Sequence, residues 1–221
     1  SYMNNDGAVK GDRDVFNRMN FSINGQWKFK PWLQLTTNNQ FGISKRRSVG
    51  NGSMLAVVRM DPLTPVTMTY DQLPGDLKNI ADNPGTYGEL LKDANGNYYG
   101  ISHFTAGGTN NPFIGLYASD SMTKSYNLNG TTALNITPFK GFTFTSRIGY
   151  RMNISNPHTT SYDVYRQSNS FTNYASVSAS LNFSAYYQWE NFINYNVKLG
   201  KHNLSAMAGM SYSQDYDYSI S

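Results

Sequence analysis

The chain has 221 residues, and only 14% of them are charged, well under the roughly 25% usual for soluble proteins; aromatic residues match that 14%, with 17 Tyr and 12 Phe. This much apolar surface offsets the entropy of ordering and excludes a disordered chain, while the absence of Cys excludes a disulfide framework, a thiol nucleophile and Cys-ligated metal. The net charge of +4 is scattered along the chain, so no nucleic-acid partner is expected.

No stretch approaches 18 uninterrupted apolar residues, which excludes a transmembrane helix. The mean hydropathy of −0.53 looks soluble, but a membrane β-barrel alternates lipid-facing and lumen-facing side chains that cancel in any average. The opening residues Ser1-Tyr2-Met3-Asn4-Asn5 have neither a basic nor an apolar leader segment; any export signal is expected upstream or already removed.

In chain order, the first periodic segment sets Met19, Phe21, Ile23, Gly25, Trp27 and Phe29 against Asn20, Ser22, Asn24, Gln26 and Lys28. Period two predicts a strand. Pro31 cannot donate to a ladder and marks a turn. Beyond it Leu33, Leu35, Phe41 and Ile43 alternate with Gln34, Thr36, Asn38 and Gln40, completing a hairpin over 16–44. The run Lys45-Arg46-Arg47 reads as a strand end meeting solvent or anionic headgroups.

A long loop, 45–123, follows. Short helices are predicted at Met54 to Met60 and at Tyr87 to Leu91. The stretch Asp93-Ala94-Asn95-Gly96-Asn97 begins like a calcium loop, yet Tyr98 stands where the essential glycine belongs and Phe104 where the closing glutamate belongs, so a tight β-turn is expected. Tyr87, Tyr98, Tyr99, Phe104, Phe113 and Tyr117 lie among Asn and Thr in this loop. Flat rings beside amide groups fit a sugar or peptide contact, or a partner contact; they fit equally well the packing of the loop on itself.

A second hairpin is predicted over 124–153, turning through Pro138-Phe139-Lys140-Gly141, and a third over 183–213, turning at Gly200-Lys201, with a loop at 154–182 between them. Strands of ten or more residues suit an oblique crossing of hydrocarbon, and short turns at one end with long loops at the other is an outer-membrane barrel asymmetry. The second face is mostly Asn, Ser, Thr, Gln and Gly; Arg147, Arg151 and Glu190 fall on it and are expected to face a hydrated lumen. Trp27, Phe29, Trp32, Phe139 and Phe142 are expected as an interfacial aromatic girdle. Six strands cannot close in lipid, so an internal stretch of a larger barrel is expected. The alternative is a cell-surface or secreted β-sandwich binding or adhesion module without transport.

Catalysis finds little support: Glu89 and Glu190 are the glutamates, and His103, His158 and His202 have no metal-site spacing. No enzyme activity, cofactor or metal is expected.

Beyond these patterns the sequence resembles the SusC/RagA-type TonB-dependent transporters of Gram-negative outer membranes, over nearly the whole chain. Arg59-Met60-Asp61-Pro62-Leu63-Thr64-Pro65-Val66 is similar to that family's Ser-Pro-Leu-Thr-Pro-Val segment, with Asp61 in place of the small residue before proline. Lys92 to Tyr99 is similar to its Asn-Gly-Asn hairpin, and Asn110-Asn111-Pro112-Phe113 to its Asn-Asn-Pro segment. Leu128-Asn129-Gly130 through Phe144, and Trp189-Glu190-Asn191 through Leu204, are similar to consecutive barrel hairpins. The resemblance implies an all-β fold, an antiparallel transmembrane segment of three hairpins from a barrel of about 22 strands, lodged in outer-membrane lipid, with the plug domain outside this chain. It further implies import of a glycan or oligopeptide nutrient, a SusD-like surface lipoprotein over the extracellular mouth, and coupling to TonB through the absent plug. Arg147 and Arg151 would then face plug carboxylates or the permeant.

Overall fold

A computed structural model describes residues 1–7, 9, 13–48, 52–102, 104, 111–167 and 170–221; His103, Gly107, Gly108 and Asn110 lie outside them. In chain order the elements are β1 (Tyr2–Asn5), β2 (Val15–Lys30), β3 (Leu33–Ser48), α1 (Gly52–Arg59), β4 (Thr67–Met68), a 3-10 turn (Tyr70–Gln72), α2 (Gly75–Asp82), α3 (Pro84–Tyr87), β5 (Tyr98–Tyr99), α4 (Pro112–Tyr117), β6 (Ser119–Ile136), β7 (Phe142–Ser161), β8 (Tyr165–Gln167), β9 (Ser170–Phe171), β10 (Ser176–Ala179), β11 (Leu181–Leu199) and β12 (His202–Ile220).

The long strands form one antiparallel sheet in the order β1-β2-β3-β6-β7-β11-β12, with β10 also pairing with β7. Two members carried no pattern of their own: β1 pairs Tyr2 with Met19 through Asn5 with Phe16, and β10 pairs Ser176 with Ser161. No helix is long and apolar enough to cross a membrane. The short turns fall where proline or glycine allows them. Lys30 pairs with Leu33 around Pro31-Trp32, and Gly141 and Gly200 take φ of 89° and 61°, a region only glycine enters at no steric cost.

The turns are staggered. Leu33, beside the first turn, pairs with Ile136, which pairs with Phe144, which pairs with Ile193. The second turn lies two residues past that row, at Phe142, and the third six residues past it, at Leu199. Turn tips therefore step along the strand axis as the sheet is crossed.

Every long strand separates its side chains by parity. One face carries Met19, Phe21, Ile23, Trp27, Phe41, Ile43, Ile148, Trp189, Ile193 and Met210, all exposed, with Ile23 at 68% and Met210 at 62%. The other carries Ser22, Asn24, Asn38, Gln40, Asn129, Thr131, Arg151 and Gln188, which line a groove of about 580 Å³. A sandwich would bury the apolar face under a second sheet; here it stays open.

The hydrophobic core lies instead in the loops. Met68, Leu73, Leu77, Ile80, Leu90, Tyr99, Ile101, Ile114 and Ala118 from the first long loop and its junction with β6 pack with Val164 and Tyr165 from the second. The two loops also join through backbone: Glu89 N donates to Asp163 O at 2.8 Å and Tyr165 N to Glu89 O at 2.9 Å. They form one folded cap on the long-loop end of the sheet. Within it α1 matches the predicted helix near Met54 to Met60, but Tyr87 to Leu91 is not helical. Tyr87 ends α3; Gly88 at φ 83° breaks the helical course, and Glu89 turns to bridge Val164. The Asp93 segment is the expected turn: Asp93 Oδ1 accepts from Asn95 N at 2.8 Å and Asn97 N at 2.9 Å.

Candidate functional site

The polar face brings Arg147, Glu190 and Arg151 together through the β7–β11 register, which sets Arg147 opposite Glu190 and Arg151 opposite Tyr186. Arg147 Nε donates to Glu190 Oε2 at 2.7 Å and Arg147 Nη2 lies 2.6 Å from the same oxygen. Glu190 Oε1 accepts from Gln188 Nε2 at 3.0 Å, and Gln188 Oε1 accepts from the Tyr186 hydroxyl at 2.7 Å. These links make a continuous polar rail along β11, tied to β7 by one ion pair. The sequence expectation paired Arg147 and Arg151 with carboxylates from outside this chain; Arg147 has its carboxylate within the sheet. Arg151 instead holds its guanidinium 5.8 Å from the Tyr186 ring centroid, at the rim of the groove. Tyr186 and Gln188 were missed as site residues, although both share the parity of Glu190.

The six loop aromatics divide into two groups. Tyr99 is buried, stacked on Phe113 at 5.4 Å and on Tyr117 at 6.1 Å, and its burial pushes the phenol above its ordinary pKa, with Tyr117 adding to the shift. Tyr87 meets Phe171 edge-on at 5.9 Å, and Tyr87 and Tyr98 pack against the cap core. These three rings build the cap. Phe104, Phe113 and Tyr117 remain exposed, although Arg13 covers part of the Tyr117 ring at 4.6 Å. Tyr98, with Lys92 Nζ 4.6 Å from its ring centroid, also borders a pocket of about 270 Å³ shared with Glu89, Leu90, Leu91 and Lys92.

The scaffold under these rings is set by Asn111, which is 2% exposed. Its Nδ2 donates to Val66 O at 3.1 Å and Gly100 O at 3.0 Å, and its Oδ1 accepts from Phe113 N at 3.0 Å, capping α4. A buried amide that meets three backbone groups fixes the chain path from which Phe113 and Tyr117 project. Among the described residues no cluster of three or more His, Asp or Glu could hold a metal.

No protein-family model matches the chain, and no curated protein matches it in sequence. Solved structures do match. A chain of the RagAB peptide transporter superposes with a TM-score of 0.64 at 19% identity, over 93% of this chain and 21% of that one. Chains of the RagAB peptide importer in its closed-closed and open-open states give 0.59 at 18% identity and 0.58 at 17% identity, over 92% and 93% of this chain and 22% and 21% of theirs. The chain thus spans about a fifth of the length of the transporter chains it matches. The RagA-type resemblance carried by the sequence motifs is met in three dimensions: from end to end, this chain has the fold of a segment of a RagAB transporter chain.

Proposed function

We propose that this chain is part of the wall and extracellular cap of an outer-membrane importer for a peptide or glycan nutrient. The observation that carries the reading is the single-layer sheet whose apolar face is uncovered while its polar face holds a groove. Exposed apolar area of this extent needs a solvent other than water.

The stagger of the turns supports the same reading. Membrane barrels keep their short turns near one level. Six residues of offset at about 3.4 Å each, across four strand spacings of about 4.8 Å, correspond to strands tilted by roughly 45°. The aromatic residues follow that slope. Tyr126, Tyr150, Tyr187 and Tyr212 lie on the apolar face ten, six, six and four residues from the row Ile136, Phe144, Ile193 and Ala208. They descend as the turns descend and so stay near one level. At the turn end Trp27, Phe29, Trp32 and Phe139 are exposed, and Phe139 meets Phe142 at 5.1 Å. Two aromatic belts flanking an apolar band of about 25 Å fit a lipid-embedded barrel wall.

In this account the plug and remaining strands come from outside the chain, and TonB supplies the work through the plug. A SusD-like lipoprotein covers the cap. Phe104, Phe113 and Tyr117 meet that partner or the cargo, while Arg151, with no carboxylate partner among the described residues, faces the plug or the permeant. The test uses the full-length protein that contains this chain. Uptake of its nutrient should stop in cells lacking TonB while surface expression persists; undiminished uptake would overturn the importer reading. Phe104→Ala combined with Tyr117→Ala should weaken lipoprotein docking or uptake with the barrel still assembled, and normal docking together with normal uptake would remove those rings from the site.

A further inference from the structure

The apolar face ends abruptly toward the cap. The row Met19, Ile43, Tyr126 and Ile154 is followed, two residues farther along each strand, by Asn17, Lys45, Lys124 and Asn156, which are also mutual neighbours across β2, β3, β6 and β7. Lys45 and Lys124 stand directly opposite each other, both on the lipid-facing parity and both exposed. Like charges in direct cross-strand register repel.

The surrounding charges do not relieve them. Arg46 falls on the opposite face, and Arg47, one step above Lys45, forms a two-pronged pair with Asp120, Nε to Oδ1 at 2.8 Å and Nη2 to Oδ2 at 2.7 Å. Asp120, the carboxylate four residues along β6 from Lys124, is therefore already engaged. Neither Lys45 nor Lys124 makes a hydrogen bond or ion pair among the described residues. The short basic run of the sequence thus resolves into three roles: Arg46 toward the lumen, Arg47 neutralised by Asp120, and Lys45 joined at distance by Lys124.

We propose that Lys45 and Lys124 form a binding site for the phosphate-bearing headgroup of an outer-leaflet lipid. This rests on the lipid-embedded reading above, and its occupant follows from placement and charge. Lys45 and Lys124 lie two residues beyond Ile43 and Tyr126 on the same face, so a lipid whose acyl chains lie against Phe41, Ile43 and Tyr126 presents its phosphate beside them. One anion between the two cations turns their repulsion into attraction. A soluble anion would gain the charge term but not the apolar contact below it.

The experiment uses the full-length protein in nanodiscs that contain either phosphorylated lipid A in phosphatidylcholine or phosphatidylcholine alone, with retained lipid counted by native mass spectrometry. The parent protein should retain lipid A selectively. Lys45→Gln and Lys124→Gln should each weaken retention about fivefold, and the double variant about 25-fold, from roughly one cationic contact apiece. Unchanged retention in the double variant would overturn the site, and loss of retention on adding inorganic phosphate at a few millimolar would overturn the lipid as its occupant. Failure of the protein to enter nanodiscs would instead count against the barrel reading itself.

Discussion

Tyr150 of β7 lays its ring across Gly130 of β6 and donates its hydroxyl to Oδ1 of Asn39 on β3, two strands away. Asn39 in turn donates to the Thr37 hydroxyl at 2.9 Å, which lies 3.0 Å from that of Thr132. This polar patch sits within the apolar face, where on the proposed membrane reading each unmet group would be costly. Gly130 is required because a Cβ there would stand 2.2 Å from Asn39 Oδ1 and 2.6 Å from the Tyr150 ring. Gly130→Ala should therefore destabilise the sheet by about 1–3 kcal/mol through overpacking, read as a lower melting temperature of the full-length protein in detergent.

The same contact makes a double-mutant test. Tyr150→Phe leaves the Asn39 carbonyl without its donor and should cost about 1–2 kcal/mol. Adding Asn39→Leu removes the orphaned group, so the double variant should recover most of the loss. Purely additive losses would show that the two side chains do not interact.

In the cap, Asn111→Ala should cost about 2–4 kcal/mol, because it strands the carbonyl of Gly100, takes one of two donors from the Val66 carbonyl, which keeps the Gly100 amide, and uncaps α4. Hydrogen exchange should rise across residues 64–118 and around Val164, while the paired strands of the sheet keep their protection. Uniform loss of protection would mean that cap and sheet fold as one unit.

Asp61 gives the cap a pH dependence. Its carboxyl is held below the usual carboxylate range, first by a hydrogen bond from Ser102, which desolvation opposes, and then by those from the Thr64 hydroxyl and the Thr64 and Leu63 amides. A folded-state pKa below the unfolded value contributes stability that is present above the unfolded pKa and is lost as pH falls through the folded one. Proteolytic nicking between Asp61 and Ser102 should thus increase below about pH 4. Asp61→Asn should show that looseness already at neutral pH and little further change on acidification.

The antiparallel β character was legible because each long strand alternates over most of its length; the alternation fails at the polar patch of Thr37, Asn39 and Thr132, and toward the cap at Asp120 and His158. β1 and β10 were not legible, since four residues carry too little periodicity and their pairing is imposed by β2 and β7. The loop aromatics were identifiable by type, but a ring's burial depends on which loop reaches it: Tyr99 is enclosed by its own loop, and Tyr87 by Phe171 of the other. Arg147 and Glu190 were each assigned to the polar face. Their pairing was hidden because the register of β7 on β11 is set across a connection of about 20 residues and not by a short turn. Asp61, a departure from the family motif, is explained by the four groups it accepts from.

The most direct test of the central claim compares adjacent positions on one strand. This chain has no cysteine of its own, so Ile148→Cys and Gly149→Cys each place one new thiol in this segment of the full-length protein, and its labelling above that of the parent protein is read in intact outer membranes with a water-soluble maleimide. The account predicts labelling at position 149, on the polar face, and none at position 148, which should instead react with a lipid-soluble maleimide. Equal reactivity at the two positions, or water-soluble labelling at 148 alone, would contradict it.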